Sequence, residues 1–192
     1  MSEDRSAGYE ANADRYLTAR SRIGAGLVRG WAEEALPQGA EIVDLGCGTG
    51  VPVSEVLIED GYRLWAIDAS ASLLAYYARR FPDVPTACEA AQDSSLFGRQ
   101  FDGAVAIGLM FLLSPHDQRV LIANVARALR KGGRFLFSAP TQTAEWEDML
   151  TGRTSCSLGI AAYTAALEQE GMRLESCRED RGSNNYYDAV KR

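Results

Sequence analysis

The stretch that decides the fold runs from Glu41 to Gly50 and reads Glu-Ile-Val-Asp-Leu-Gly-Cys-Gly-Thr-Gly. A short apolar strand ends near the acid Asp44, and a glycine loop follows at once. Such a loop lets the backbone approach a ligand closely and leaves N–H groups free to meet it. A dinucleotide fingerprint would require glycine at position 51, but the third glycine is Gly50 and valine follows it. An acid beside this loop suits a ligand with a positive end, such as an amino acid, better than a pyrophosphate.

Composition and charge favour one globular domain without a nucleic-acid or membrane partner. The chain has 192 residues, 46% of them hydrophobic and 24% charged, which are ordinary values for a folded domain. The net charge of −6 disfavours nucleic acid, which usually needs a basic face. The sequence has no apolar run of 18 residues and no signal-peptide pattern. Four scattered cysteines and a lone histidine predict no metal site and indicate reduced thiols in a cytoplasmic protein.

Helix and strand signals alternate along the chain. Tyrosine, leucine and tryptophan at steps of three and four predict a helical segment over 9–36, weakened at Gly24 and Gly26. Alternation predicts a mostly parallel sheet with helices on both faces and a ligand beyond the C-terminal strand ends. Further strands are predicted at 63–67, 86–88, 101–107, 134–138, 172–177 and 186–190, and helices at 52–60, 70–80, 114–130, 144–150 and 159–170. A turn at 181–185 predicts that the last two strands form an antiparallel hairpin.

Four motifs together resemble the class I S-adenosylmethionine-dependent methyltransferases. Asp44–Gly50 resembles their first motif, and Asp68 matches the acid that ends their second strand. Phe101–Val105 is similar to their fourth strand, and Leu129–Phe135 to the turn before the fifth. The resemblance implies an α/β, Rossmann-like, seven-stranded sheet of order 3-2-1-4-5-7-6, with strand 7 antiparallel and helices on both faces.

The resemblance also implies a division of the chain into parts of one methyltransferase domain, over residues 1–192. Residues 1–40 would form N-terminal lid helices, and residues 41–140 the cofactor-binding core. Residues 141–192 would add a C-terminal helix and hairpin. With only about 50 residues beyond the core, we expect no large substrate domain.

The implied methyl donor is S-adenosylmethionine, with S-adenosylhomocysteine as the product. The loop residues Gly46, Cys47, Gly48 and Gly50 would lie against the methionine and ribose portions of the cofactor. Asp44 would favour its cationic end through water or backbone amides. The alternative is that the glycines only shape a strand–helix turn and that Cys47 is structural.

Further cofactor contacts are implied at the ends of the next strands. Asp68 can accept hydrogen bonds from both ribose hydroxyls, as an acid does in dinucleotide folds, although it could instead cap the following helix. Ala69 would lie against the adenine, and Ala91 and Gln92 would hold the adenine edge, with an exposed loop residue as the alternative for Gln92. Ile107, with the glycine after it, would lie beneath the sulfonium.

Two residues of the N-terminal helix add a hypothesis about the lid. Tyr16 and Arg20 share an apolar face with Ile23 and Leu27, and a guanidinium there needs a partner or a route to water. The segment from Tyr9 to Tyr16 resembles the lid helix of many small members, where an arginine or tyrosine meets the cofactor carboxylate. The resemblance implies that Arg20 pairs with that carboxylate while Tyr16 packs nearby. A surface arginine is the alternative.

Methyl transfer by direct displacement needs a base only when the acceptor is poorly nucleophilic. His116 is the obvious candidate, but it lies in the first turn of a predicted helix, where a solvent-facing role is favoured. We expect the acceptor pocket to form from Gly108–Leu113, the lid helix and the loop after Ser138. Trp146, Tyr186 and Tyr187 are candidate aromatic walls, although a core role is favoured for most such residues.

The expected acceptor is a small molecule. A motif of the Asn-Pro-Pro-Tyr type, which marks many relatives that act on base nitrogens or protein amides, is absent after the fourth strand. The oligomeric state expected is a monomer or a homodimer. Two other classes stay open: a non-catalytic S-adenosylmethionine-binding or regulatory protein, and a nucleotide-dependent oxidoreductase, which the glycine spacing disfavours.

Overall fold

The computed structural model describes residues 4–19 and 21–192, so Arg20 lies outside the described residues. Within these ranges the predicted helical segment 9–36 is divided by Gly24, whose φ is +89°. The α-helices are α1 (Ala13–Ala19), α2 (Ala25–Ala35), α3 (Val53–Glu59), α4 (Ala71–Arg80), α5 (Pro115–Ala128) and α6 (Ile160–Gln169). The strands are β1 (Glu41–Leu45), β2 (Arg63–Asp68), β3 (Thr86–Cys88), β4 (Phe101–Ala106), β5 (Leu129–Ser138), β6 (Thr143–Glu147), β7 (Thr154–Leu158), β8 (Met172–Glu179) and β9 (Asn185–Lys191).

The main sheet has seven strands in the order β3-β2-β1-β4-β5-β9-β8. Strands β3, β2, β1, β4 and β5 pair in parallel, whereas β9 runs antiparallel to both β5 and β8. Numbered within this sheet alone, the order is the predicted 3-2-1-4-5-7-6 with an antiparallel last strand. The Rossmann-like prediction is therefore confirmed, and β1 lies at the centre with its glycine loop at the C-terminal edge.

Helices cover both faces of the sheet, as alternate side chains of the central strands show. Val43 and Ala104 pack in the core that includes α5 and α6, whereas Ile42 and Val105 pack in the core that includes α2 and α3. All five residues of β1 are buried, as expected for a parallel strand covered on both sides. This rigid centre positions the loops that follow β1, β2 and β4.

One predicted element is wrong. The segment 144–150 was expected to be helical, but β6 pairs antiparallel with β7 in a separate two-stranded sheet. Exposure alternates along Thr143–Glu147, which is the period of a strand. Trp146 packs on Phe111 with ring centroids 5.6 Å apart, so tertiary contacts outweigh the local helical tendency of the acidic residues.

The junction between α5 and β5 also differs in detail from the prediction. Helix α5 begins as expected, because the Ser114 hydroxyl accepts a hydrogen bond from the Asp117 N–H at 3.1 Å. It ends at Ala128, and Leu129 already pairs with Phe101 in the sheet. The glycines predicted to stop the helix therefore lie inside β5, where Gly132 has a φ of +79° and forms an irregularity in the strand.

Candidate active site

A cleft of about 260 Å³ lies at the C-terminal ends of β1, β2 and β4. Small-molecule sites commonly measure about 300–1,000 Å³, so this cleft has roughly the size for one small ligand. Strand ends and the loops after them form its floor, and the N-terminal segment lies across them. The predicted cofactor residues that line it are Tyr16, Gly46, Gly48, Asp68, Ala69, Ala91, Gln92 and Ile107.

The glycine loop supplies close approach rather than free N–H groups. The N–H groups of Gly46 and Cys47 both donate to the Ile67 carbonyl, at 2.8 and 3.0 Å. The Gly48 N–H donates to Asp68 Oδ2 at 2.7 Å, and that of Gly50 to the Cys47 carbonyl. The expectation that these donors are free for a ligand is wrong, because the loop uses them to hold itself against β2.

Gly48 is the point at which the lid meets the loop. Its φ is +54°, and a Cβ built there would lie 2.5 Å from the Tyr16 hydroxyl oxygen. A side chain at position 48 would therefore displace Tyr16 as well as strain the backbone. The structure brings together two residues that were predicted from separate motifs, one in the loop and one in the lid helix.

Asp68 ends β2 and lies in the wall of the cleft. Its Oδ2 accepts from Gly48 N–H, and its Oδ1 accepts from Ser70 N–H at 2.8 Å. Burial raises the pKa of this carboxyl, the two backbone donors oppose that rise, and the nearby Glu10 charge adds to it. The carboxylate is thus oriented by the two loops on either side of it.

Asp44 does not line the cleft in this structure. It is 2% exposed, and its Oδ2 accepts a hydrogen bond from the Ser54 hydroxyl at 2.6 Å. Ser54 Oγ in turn accepts from the Tyr77 hydroxyl at 2.8 Å. Burial, and then the Asp44 charge, raise the pKa of Tyr77. This chain of bonds ties β1 to α3 and α4, and the predicted role of Asp44 toward a cationic ligand stays a prediction.

Cys47 and Gly50 also lie behind the lining. Cys47 is 5% exposed, and burial raises the pKa of its thiol well above the ordinary value. The structure therefore gives it a packing position that does not favour a thiolate. Gly50, with a φ of +79°, packs so closely on Tyr77 and Phe81 that a Cβ would lie 2.5–2.9 Å from their rings.

The loops after β3 and β4 form the far wall. Ala91 and Gln92 line the cleft and are buried, and the Gln92 carbonyl accepts from Asn124 Nδ2 of α5 at 2.7 Å. After β4, Ile107 and Gly108 line the cleft, and the Gly108 N–H donates to Ser138 Oγ at 2.8 Å. Hydrogen bonds to α5 and β5 therefore fix both loops.

The lid contains a functional candidate that the sequence did not single out. Glu10 Oε2 accepts from the Ser70 hydroxyl at 2.6 Å and from Ser72 N–H at 3.0 Å, and its Oε1 accepts from the Ser72 hydroxyl at 2.7 Å. Ser70 and Ser72 at the start of α4 indicated in the sequence that an acid could bind there. Nothing in the sequence indicated that the acid would be Glu10, which lies 60 positions before Ser70.

The acceptor side of the cleft is apolar and aromatic. Phe111, Leu112 and Leu113 line it, and Leu150 closes it from the turn of the β6–β7 hairpin. Four expected wall residues lie elsewhere: Met110, Trp146, Tyr186 and Tyr187. Met110 is fully buried in the core. Trp146 packs on Phe111 but does not itself line the cleft.

Tyr186 and Tyr187 belong to the core, which was the favoured reading for such residues. The Tyr186 hydroxyl donates to Asp180 Oδ2 at 2.9 Å, and that of Tyr187 donates to the Pro140 carbonyl at 3.2 Å. Tyr187 also stacks on Phe137 with ring centroids 4.7 Å apart. Neither tyrosine lines the cleft.

His116 is exposed in the first turn of α5 and does not line the cleft. The titratable side chains that do line it, within the described ranges, are Arg5, Tyr9, Tyr16 and Asp68. Among the same residues, no group of three or more His, Cys, Asp and Glu side chains could hold a metal ion. The part of the chain that the structure describes also contains no helix long and apolar enough to cross a membrane.

This sheet order, with a glycine loop after β1 and an acid at the end of β2, defines the class I methyltransferase fold. Residues 42–133 match the family model described as a methyltransferase domain. Over these residues, just under half of the chain, the protein resembles that family.

Solved structures share the fold. The S-adenosylmethionine-bound amino pentose methyltransferase CalS10 of Micromonospora echinaspora aligns with a TM-score of 0.76 at 16% identity, covering 95% of this chain and 96% of that one. The 1,6-didemethyltoxoflavin-N1-methyltransferase of Burkholderia thailandensis, solved with its acceptor and S-adenosylhomocysteine, aligns with a TM-score of 0.76 at 17% identity. That alignment covers all of this chain and 91% of the other. At these identities the likeness shows the fold alone.

A curated relative, the cypemycin N-terminal methyltransferase of a Streptomyces species, is 34% identical over 128 residues, which are 65% of this chain. The chain spans about half the length of the curated relatives it matches first, 45% and 51%.

Proposed function

We propose that this chain is an S-adenosylmethionine-dependent methyltransferase that moves a methyl group to a small-molecule acceptor by direct displacement. The observation that carries the proposal is Asp68, held by Gly48 and Ser70 N–H groups in the wall of a cleft that Tyr16 covers. The methyltransferase-domain match supports it. Neighbours of the same fold were solved with S-adenosylmethionine or S-adenosylhomocysteine.

The cleft residues fit such a cofactor. Asp68 offers carboxylate oxygens to a ribose diol, and the glycine loop leaves no side chain between that acid and the lid. Ala69 and the buried Ala91 and Gln92 line the part of the cleft where we place the adenine. When bound, the cofactor supplies an electrophilic methyl group on a sulfonium. The residues of the chain orient the two reactants and exclude water, which is where much of the rate of such a transfer originates.

The lining also bears on the acceptor. Along the described part of the chain, no histidine, cysteine or lysine faces the cleft, and Asp68 is its one carboxylate. Without a protein base, an uncharged amine or heteroaromatic nitrogen accepts a methyl group more readily than a hydroxyl does. The apolar wall of Phe111, Leu112 and Leu113 favours a largely apolar acceptor. One relative is named for an N-terminal substrate and another as an O-methyltransferase, so the preference for a nitrogen acceptor rests on the lining.

The proposal also includes roles for single residues. Arg20 would meet the cofactor carboxylate at the lid, and Asp44 would act on the cationic end through the loop. His116 is given no catalytic role, because it is exposed and outside the cleft lining. We further propose a cytoplasmic monomer or homodimer without a nucleic-acid partner, and the lid, core and C-terminal division at residues 40 and 140.

The test compares three ligands by thermal shift: S-adenosylmethionine, S-adenosylhomocysteine and NAD. A ligand present at 100 times its Kd stabilises the folded state by about 2.7 kcal/mol, so binding gives a clear shift. We expect stabilisation by the first two ligands only. Stabilisation by NAD but not by S-adenosylhomocysteine would overturn the proposal in favour of an oxidoreductase.

A methyl-release assay with a panel of amine, heteroaromatic and hydroxyl acceptors then separates an enzyme from a binding protein. We expect turnover with one or more nitrogen acceptors. Cofactor binding without turnover across the panel would favour a non-catalytic, S-adenosylmethionine-binding protein.

A further inference from the structure

One carboxylate of the lid, that of Glu10, binds the cofactor side of the cleft at the start of α4. Glu10 lies in a single 3-10 turn (Glu10–Asn12) that leads directly into α1. Both of its oxygens accept hydrogen bonds from the start of α4, at 2.6, 2.7 and 3.0 Å. These bonds hold down the pKa of Glu10, chiefly through the Ser70 hydroxyl and then that of Ser72. A carboxylate also suits the N-terminal end of a ten-residue helix such as α4.

This attachment joins the lid to the residues that form the cleft. Ser70, which binds Glu10 through its hydroxyl, donates its N–H to Asp68. Asp68 accepts from Gly48, and Gly48 lies beneath Tyr16, which is less than two helical turns from Glu10. The contacts therefore form a closed loop from the lid, through the β2–α4 junction and the glycine loop, back to the lid.

The other lid attachments serve a different edge or are weaker. The Tyr9 hydroxyl donates to Asp148 at 3.3 Å, and Arg15 donates to the Leu150 carbonyl at 2.6 Å. Both bonds lead to the hairpin turn on the acceptor side. Arg5 pairs with Asp93 near the proposed adenine site through an exposed ion pair, which contributes little, whereas Glu10, although also exposed, accepts three hydrogen bonds from the start of α4.

We propose that Glu10 is a positioning residue. Its hydrogen bonds to Ser70 and Ser72, called the clasp below, hold the lid on the start of α4 and keep Tyr16 over the glycine loop. The clasp thereby slows the release of the cofactor and of its product. This role rests on the proposed function, because the clasp can slow cofactor release only if the cleft binds S-adenosylmethionine. Its contacts themselves are a property of the free chain. The lid would open by breaking the three Glu10 bonds together, while the hairpin side acts as a hinge.

The test measures S-adenosylhomocysteine dissociation by stopped flow for the wild type, Glu10→Ala, Ser72→Ala and the double variant. Losing all three bonds should raise the dissociation rate about 10-fold in Glu10→Ala, and losing one should raise it about 3-fold in Ser72→Ala. The double variant should be no faster than Glu10→Ala, because the two residues act in one contact. Glu168→Ala, at an exposed position of α6, is the matched control and should match the wild type.

Amide hydrogen exchange adds a readout that a general loss of stability would not produce. Residues 13–19 should lose protection in Glu10→Ala while β1 and β4 keep theirs, and Glu10→Gln should restore part of it. A dissociation rate unchanged in Glu10→Ala would overturn the clasp. If the wild type binds no S-adenosylhomocysteine, the proposed function fails, and exchange in the free chain still decides: unchanged protection of 13–19 would then overturn the clasp by itself.

Discussion

The two walls of the cleft are built in different ways. The glycine-loop region (residues 41–68) is held by backbone hydrogen bonds to β2 and by strands buried on both faces. The lid region (residues 4–19) has one buried residue in α1, Ala13, and is held by side-chain bonds to distant segments, including Glu10 to Ser70 and Arg15 to Leu150. The first wall is part of the folded core, whereas the second is attached to it.

Because the two regions are held differently, changes in them should affect the stability of the fold to different extents. Changes in the glycine-loop region should alter the fold and the cofactor site together, because the same backbone serves both. Changes in the lid region and on the acceptor side should alter ligand exchange or acceptor choice while leaving the global fold nearly intact, as local attachments open more easily than a core.

The largest expected effect is on the glycine-loop region. Gly50→Ala should lower the free energy of unfolding by about 3 kcal/mol, because a Cβ would meet the rings of Tyr77 and Phe81 at a positive φ. Gly132→Ala is the matched control: its φ is also +79°, but nothing lies within 4 Å, so about 1 kcal/mol is expected. Urea unfolding measures both. Equal losses would mean that packing around the loop contributes nothing beyond the backbone strain.

The second effect concerns cofactor affinity. Asp68→Ala should weaken S-adenosylhomocysteine binding about 100-fold, or about 2.7 kcal/mol, because it removes the charged acceptor and releases Gly48 and Ser70. The melting temperature should fall as well, because the N–H groups of Gly48 and Ser70 lose their acceptor, whereas Asp68→Asn, which keeps a side-chain oxygen, should lose affinity with a smaller loss of stability. Asp83→Ala, an exposed acid after α4, is the control for calorimetry. An Asp68→Asn variant that binds S-adenosylhomocysteine as tightly as the wild type would argue that Asp68 is structural only.

The third effect tests the acceptor side. Phe111→Ala should raise the KM for the acceptor about 10-fold, about 1.4 kcal/mol, since Phe111 lines the cleft and carries the contact with Trp146. The Kd of S-adenosylhomocysteine should change less than about twofold. Met149→Ala, at a side chain that is 93% exposed, should change neither constant. A larger change in cofactor affinity than in acceptor KM would place Phe111 in the cofactor half.

The sequence predicted the two walls unequally well. The glycine-loop region was predictable because local motifs specify it: Asp68 ends its strand, and the glycines of the loop adopt positive φ values. The prediction that the N–H groups of the loop are free for a ligand was wrong, because their acceptors, Ile67 and Asp68, belong to the next strand. Spacing along one strand does not show which backbone groups a neighbouring strand will occupy.

The lid and the acceptor side were less predictable because long-range contacts determine them. Glu10 finds its partners 60 and 62 positions away. The segment predicted as helix 144–150 becomes β6 only because β7 pairs with it. No local period indicates such a pairing with certainty, since a short run of mixed polar and apolar residues fits both element types.

The smallest expected effect is a change in acid stability at the base of the glycine-loop region. Glu41 of β1 accepts hydrogen bonds from Arg130 at 2.6 Å and Arg99 at 3.1 Å. The Arg130 bond, and then the charges of Arg63 and the other arginines, hold the pKa of Glu41 below its ordinary value of 4.5, against the effect of burial. Its stabilising contribution is therefore complete above about pH 4.5 and is lost as the pH falls through the folded-state pKa.

Glu41→Gln should consequently flatten the fall of the unfolding free energy below pH 4.5, because the variant has one carboxyl fewer to protonate at this position. Urea titrations between pH 3 and pH 7, a range set by the ordinary carboxyl pKa values of about 4, give the slope for each protein. Glu168→Gln, with the same loss of an acid on the exposed side of α6, should leave the slope near that of the wild type. Identical slopes for all three would mean that the arginine cluster around β1 adds no acid-sensitive stability to the glycine-loop region.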